Sequence, residues 1–245
     1  MVAIRNWKNI VPVVSHETAI VWSIFSSKGT EGKTPDEAPL EGFIALTLHR
    51  MQPGKSGDYH IHSDKEQVYY FTKGRGKMNI HDKLYDVKQG DAICAPIEKR
   101  HQLINDSDEW IEHLIINGNA DTTAEVAQRN WLDSAPHISH GAALLWSIFT
   151  KEGTEGKTFN EAPLKGITNF TLHRLQPGIQ TGTHTHAEKE QVYYFTEGHG
   201  KMIVGDETVD VGPGDAVYGP AKVQHGLIND TDDWLEHLII SAAVP

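Results

Sequence analysis

Gly54-Lys-Ser-Gly-Asp-Tyr-His60-Ile-His62-Ser-Asp-Lys-Glu66-Gln67-Val-Tyr-Tyr-Phe-Thr-Lys-Gly74 returns 124 positions later as Gly178-Ile-Gln-Thr-Gly-Thr-His184-Thr-His186-Ala-Glu-Lys-Glu190-Gln191-Val-Tyr-Tyr-Phe-Thr-Glu-Gly198. The same offset relates Trp22-Ser-Ile-Phe25 to Trp146-Ser-Ile-Phe149 and Thr47-Leu-His-Arg50 to Thr171-Leu-His-Arg174. It holds without a gap from Arg5/Arg129 to Ile116/Ile240, and 62 of those 112 positions are identical. A gapless repeat of this length implies one fold used twice. The expected units are 1–118 and 127–245, joined by the short polar linker 119–126, and 245 residues leave no room for a third domain.

Each unit reads as strands. Short apolar runs such as Phe43 to Leu48, Gln67 to Thr72, Asp91 to Ala95 and Trp110 to Ile116 are separated by turn material, including Gln52-Pro-Gly54 and Lys88-Gln-Gly-Asp91. Helical periodicity is almost absent. The expected class is all-β, with a sandwich or barrel in each copy. The two copies would protect their edges by packing together or by swapping terminal strands. The polar segment 28–42, repeated as 152–166, reads as a surface loop or as a rim over a pocket.

Composition excludes several classes of function. Lys plus Arg total 22 and Asp plus Glu total 33, a formal charge of −11, so nucleic acid is not an expected partner. Cys94 is the single cysteine, which rules out an intrachain disulfide framework. No run approaches a membrane-spanning length and the first residues carry no apolar signal segment, so a cytoplasmic protein without a membrane partner is expected. Gly29-x-x-Gly32-Lys33-Thr34 lacks the spacing and following helix of a phosphate loop. Ser15-His16 and Ser139-His140 have no acid or oxyanion feature nearby and do not read as nucleophile pairs.

Histidine is the residue in excess, with fifteen in the chain. Twelve fall in repeat pairs, among them His60/His184, His62/His186 and His101/His225. Residues i and i+2 of a strand face the same way, so His60-Ile-His62 and His184-Thr-His186 would each send two imidazoles into one pocket. With a third histidine, such a pocket suits Fe, Mn, Ni, Cu, Co or Zn and does not suit calcium.

These residues resemble the cupin family, and the whole chain resembles a bicupin. The first family motif matches Gly54, His60-Ile-His62, Gln67 and Gly74, and again Gly178, His184-Thr-His186, Gln191 and Gly198. The second matches Gly90-Asp-Ala-Ile-Cys-Ala-Pro96 with His101 and Asn105, and Gly214-Asp-Ala-Val-Tyr-Gly-Pro220 with His225 and Asn229. The resemblance implies two tandem cupin barrels of the double-stranded β-helix or jelly-roll type. It also implies one divalent transition metal per domain, Fe(II) being favoured. The metal ligands it implies are His60, His62, His101 and Gln67 in the first half, and His184, His186, His225 and Gln191 in the second. The family's usual fourth ligand is a glutamate where this chain has glutamine. Either the glutamine amide oxygen ligates, or Glu66 and Glu190 reach in through a bulge as alternative ligands or acid–base groups.

Gln67, Tyr69 and Phe71 share one strand face, as do Gln191, Tyr193 and Phe195. Tyr69, His113, Tyr193 and His237 are therefore catalytic or supporting candidates, with core packing the plainer alternative. Arg50 and Arg174 are candidates for pairing a substrate carboxylate, or for a salt bridge between the halves. The resemblance implies a metal-dependent enzyme on a small, anionic organic substrate. The leading expectation is a non-haem dioxygenase binding an enol, diol or phenolic oxygen and O2 at the metal. The alternatives are a metal-assisted isomerase, epimerase or lyase, and a non-catalytic metal- and ligand-binding bicupin. Either a monomer or a homo-oligomer is compatible with the duplication.

Overall fold

Along Glu66-Gln-Val-Tyr-Tyr-Phe71 the side chains alternate between two different cores. Val68 and Tyr70 join a large cluster that includes Val192 and Tyr194 of the other repeat, while Tyr69 and Phe71 join a smaller cluster with Met51, Met78, Ile93 and Leu103 of their own repeat. Both faces of the strand are buried, which explains why these runs read as nearly continuous apolar sequence.

The computed structural model describes residues 1–15, 18–139 and 142–245, so His16 and His140 of the serine–histidine pairs lie outside the described residues. The first repeat forms β1 (Ile4–Asn6), β2 (Val13–Ser15), β3 (Ala19–Ser26), β4 (Phe43–Met51), β5 (Lys65–Lys73), β6 (Arg75–Ile80), β7 (Lys83–Lys88), β8 (Asp91–Ala95), β9 (His101–Ile104) and β10 (Ile111–Asn119). The second forms β11 (Ala127–Asn130), β12 (His137–Ser139), β13 (Ala143–Thr150), β14 (Ile167–Leu175), β15 (Lys189–Glu197), β16 (Gly200–Val204), β17 (Glu207–Val211), β18 (Asp215–Gly219), β19 (His225–Ile228) and β20 (Leu235–Ala243).

Each repeat builds a seven-stranded and a three-stranded antiparallel sheet, the two layers of a cupin-type barrel. The large sheets run β11-β8-β5-β10-β4-β3-β2 and β1-β18-β15-β20-β14-β13-β12; the small ones run β7-β6-β9 and β17-β16-β19. One of the two outermost strands of each large sheet comes from the other repeat. β1 pairs with β18 through Ile4↔Val217, and β11 pairs with β8 through Ala127↔Cys94. The terminal strands are swapped, which covers one exposed edge per sheet.

Glu66 and Glu190 have the parity of Val68 and Val192 and therefore point into the contact between the barrels. Glu66 accepts hydrogen bonds from the backbone amides of Lys165, Gly166 and Ile167 at 2.8–3.1 Å. Glu190 accepts from those of Glu41, Gly42 and Phe43 at 2.7–3.0 Å, and from the Tyr218 hydroxyl at 2.7 Å. Gly42 and Gly166 are required here, because a Cβ at either would collide with a backbone carbonyl of the other repeat, Ala243 and Asn119 respectively. The polar segment 28–42 thus ends as a strap across the neighbouring barrel. Its Lys28, Lys33 and Pro39 line a groove with Tyr218, Pro220 and Ala221, away from the histidine pocket of its own repeat.

Candidate metal centres

His101 opens β9, while His60 and His62 lie just before β5 in extended chain rather than in a regular strand. The expectation of a His-x-His strand is corrected in that respect. Two isolated bridges, Ser56↔Ile104 and His60↔His101, hold this chain against β9 with a one-residue shift between them, so the ladder is bulged. His60 and His101 exchange both backbone hydrogen bonds, at 3.1 and 2.8 Å, and this places their side chains next to each other. His62 is fixed by its carbonyl, which accepts from the Glu98 amide at 2.8 Å. The second repeat does the same with His184, His225, His186 and Lys222.

The donor nitrogens of His60, His62 and His101 lie within 4.8 Å of one another, and so do those of His184, His186 and His225. Tautomers follow from the ring contacts. Nδ1 of His60 faces the Asp58 carbonyl at 3.0 Å, Nδ1 of His101 faces that of Lys99 at 2.9 Å, and Nδ1 of His225 faces that of Val223 at 3.0 Å. An imidazole that donates Nδ1–H to a carbonyl presents the Nε2 lone pair on its other side, the arrangement of a metal-ligating histidine.

Gln67 stands beside the first group. The Tyr69 hydroxyl donates to its Oε1 at 3.0 Å, and its amide nitrogen donates to Asn117 Oδ1 at 2.8 Å. Oε1 then stands 2.8 Å from Nε2 of His101, so two acceptors converge on one point. A cation there reconciles them. Gln191 is held alike, by the Tyr193 hydroxyl at 2.9 Å and by Ser241 Oγ at 3.2 Å. Three neutral imidazoles and an amide oxygen fit a divalent transition metal and leave it with its full charge. Asn117 and Ser241 were not among the residues expected from sequence. Their signal is parity, since they follow His113 and His237 at alternate positions of the last strand and pair across it with Gln67 and Gln191.

Glu66 and Glu190 lie on the opposite face, on the inter-barrel amides described above, so the reading of them as alternative ligands or acid–base groups is corrected. Arg50 and Arg174 also face away from the triads. Arg50 lies over Trp110 and pairs with Glu112 at 3.6 Å; Arg174 lies over Trp131 and pairs with Glu236 at 2.6 Å. β4 and β14 turn His49 and His173 inward at these positions, and an adjacent residue on a strand must point out. His113 and His237 do face inward. His113 packs against Tyr69, Phe71 and His49, with ring centroids 5.3–5.7 Å apart, and its Nδ1 has no hydrogen-bond partner among the described residues.

Burial favours the neutral form of four of these imidazoles. It lowers His62 and His101 from 6.5 to about 4 and His237 to about 3, and pushes His113 well below its ordinary value. The unfolded chain takes up protons first as pH falls, so this stability is present above pH 6.5 and is lost on acidification toward pH 4. For the metal-free protein we expect the urea midpoint to fall steadily across that window, His101 alone accounting for on the order of 3 kcal/mol. A flat midpoint from pH 6.5 to 4 would contradict this.

A cavity of about 320 Å³ adjoins the first triad, lined by His60, His62, Gln67, Tyr69, His49 and His113 together with apolar Val21, Met51, Leu103 and Ile115. A family model described as the cupin domain matches residues 47–117 and again 171–241, each match carrying one histidine triad with its glutamine. The chain belongs to the cupin family. It is a duplicated cupin, and its two histidine groups fit the metal sites of such a protein. Over 66 residues it is 35% identical to the uncharacterized protein MJ1618 of Methanocaldococcus jannaschii, a match covering 26% of this chain and 53% of that protein. This chain spans about half the length of the curated relatives it matches. Among solved structures, the oxalate decarboxylase of Lactobacillus farciminis in complex with formate superposes with a TM-score of 0.76 at 15% identity, covering 99% of this bicupin and 86% of that chain. The Bacillus subtilis oxalate decarboxylase studied for its Mn(II) centres gives 0.74 at 15%, covering 98% and 78%. At these identities the likeness is one of fold. Among the described residues no helix is long and apolar enough to cross a membrane.

Proposed function

We propose that this bicupin is a metal-dependent enzyme acting on a small anionic organic molecule that presents two oxygen donors. The observation that carries the reading is the cavity of about 320 Å³ that meets His60, His62 and Gln67 on one side and Tyr69 and His113 on the other. Its size is that of a small-molecule site. In each repeat the three histidines and the glutamine would hold the ion. When bound, the ion supplies Lewis acidity toward a substrate oxygen, undiminished by any ligand charge.

The remaining groups orient the substrate and keep it dry. Burial pushes the Tyr69 hydroxyl well above its ordinary range, so it stays protonated and donates, to Gln67 in the resting state and to a substrate oxygen beside it. Neutral His113 offers a hydrogen-bonding nitrogen deep in the cavity. Val21, Met51, Leu103 and Ile115 exclude water from the space between.

For the reaction class, oxidative cleavage by a non-haem iron dioxygenase is the first reading, since an all-neutral ligand set favours a bidentate enediolate, diol or phenolate. A lyase or isomerase that needs no O2 is the second. It is favoured by the proton-bearing Tyr69 and by neighbours of the same fold that are oxalate decarboxylases, one of them described by its Mn(II) centres. The test is turnover of catechol, a 1,3-diketone and oxalate by protein reconstituted with Fe(II) or with Mn(II), in air and under strict anaerobiosis. Consumption only with Fe(II) in air supports the dioxygenase, and anaerobic turnover with Mn(II) supports the lyase. Intact metal with no turnover of any of them supports a binding protein instead.

A further inference from the structure

The two halves keep identical candidate ligands, yet the cavities beside them differ in size. The cavity at His60 measures about 320 Å³, whereas the one at His184 measures about 20 Å³, room for about one water molecule. Two substitutions between the repeats fall beside the second centre, and one of them enters its cavity. Where the first half has Gly57, the second has Thr181, which is 6% exposed and lines the small cavity. Its Oγ1 accepts from the Leu227 amide at 2.8 Å, and Gly226 opposite leaves the space for it. In the first half the position opposite is Gln102, whose amide runs to the Gly57 carbonyl at 2.6 Å.

Val21 is the cross-strand neighbour of His49, and Leu145 takes that place beside His173. Being directly opposite His173 on the neighbouring strand, Leu145 shares its face of the sheet. Accordingly Thr47 and His49 are partly open, while Thr171 and His173 are 2% and 6% exposed. This second observation agrees with the cavity volumes.

We infer that the two centres have different work: the first admits the anionic substrate to its ion, and the second, narrowed by Thr181, holds its ion as a fixed structural centre. This rests on the reading that a triad-bound ion engages the substrate, and it specifies which triad.

Two variants isolate the halves. His184→Ala with His186→Ala leaves the first centre, and His60→Ala with His62→Ala leaves the second. Each is loaded with Co(II), whose visible bands confirm loading and report on the ligand sphere, and is titrated with oxalate as a bidentate oxyanion probe. The first-centre protein is expected to show a saturable spectral shift, and the second-centre protein at least a tenfold weaker one. Adding Gly57→Thr to the first should abolish the response. A Cβ at Gly57 meets only Met51 Cε at 3.5 Å and the Leu103 carbonyl oxygen at 3.9 Å, so the backbone there admits a side chain, and retained Co(II) loading checks that the variant is folded. Adding Thr181→Gly and Leu145→Val to the second should create one. Equal responses in the two halves, or an unaltered response in the Gly57→Thr protein, would overturn the inference and leave the general reading standing. Silence from both halves would overturn the two together.

Discussion

Alanine at Glu66 or at Glu190 is expected to destabilise the protein by about 3–5 kcal/mol, and at both to cost most of its stability. These carboxylates are 1% and 0% exposed, so water cannot replace them, and each satisfies three backbone amides donated by the opposite repeat. Truncation leaves those donors buried without partners. In a chain of this length the single changes correspond to a fall in melting temperature of roughly 10 °C. Glu190 should be the more costly, because the Tyr218 hydroxyl is orphaned along with the amides. Its counterpart Glu66 has Cys94 at the position equivalent to Tyr218. Thermal denaturation of the single variants, with metal content measured in parallel, checks the assignment. Loss of stability with unchanged metal supports an inter-barrel clamp. Loss of metal without loss of stability would return these glutamates to the metal site.

Alanine at both His60 and His62 is expected to remove one ion per chain and leave the other. Four-ligand sites contribute roughly 10–16 kcal/mol, so each donor is worth about 3 kcal/mol, and losing two weakens binding by about four orders of magnitude. The partner centre stands on a separate set, His184, His186 and His225, and should keep its ion. Equilibrium dialysis against Mn(II) measures this directly. Because His60 and His62 lie in extended chain outside the sheets and are only partly buried, the variant should remain folded. Loss of both ions from this variant would show that the centres are coupled.

The position of these groups was unevenly legible in the sequence. The repeat and the alternation along Gln67-Val-Tyr-Tyr-Phe71 placed the glutamine with Tyr69 and Phe71, because parity on a strand is a local property. Glu66 was ambiguous, since its partner amides lie about a hundred positions away in the other repeat and nothing near it announces them. Arg50 looked suited to a substrate carboxylate, but the inward turn of His49 forces it out to Glu112 and Trp110. The His-x-His segment keeps its chemistry although it lies outside a strand, because a bridge to β9 holds it and, at His60, a carbonyl contact at Nδ1 orients the ring. Least visible was the unequal room beside identical ligands. It goes with Gly57 against Thr181, an ordinary-looking substitution until its place in the cavity wall is known.

The central claim is that glutamine completes two histidine-based metal centres. The most direct test is metal content after loading with Mn(II) and desalting, the original sequence beside Gln67→Ala/Gln191→Ala. The parent protein should retain close to two ions per chain, and the double variant should bind at least about tenfold more weakly and retain a small fraction of that. Equal, full occupancy of the two proteins would contradict the glutamine assignment.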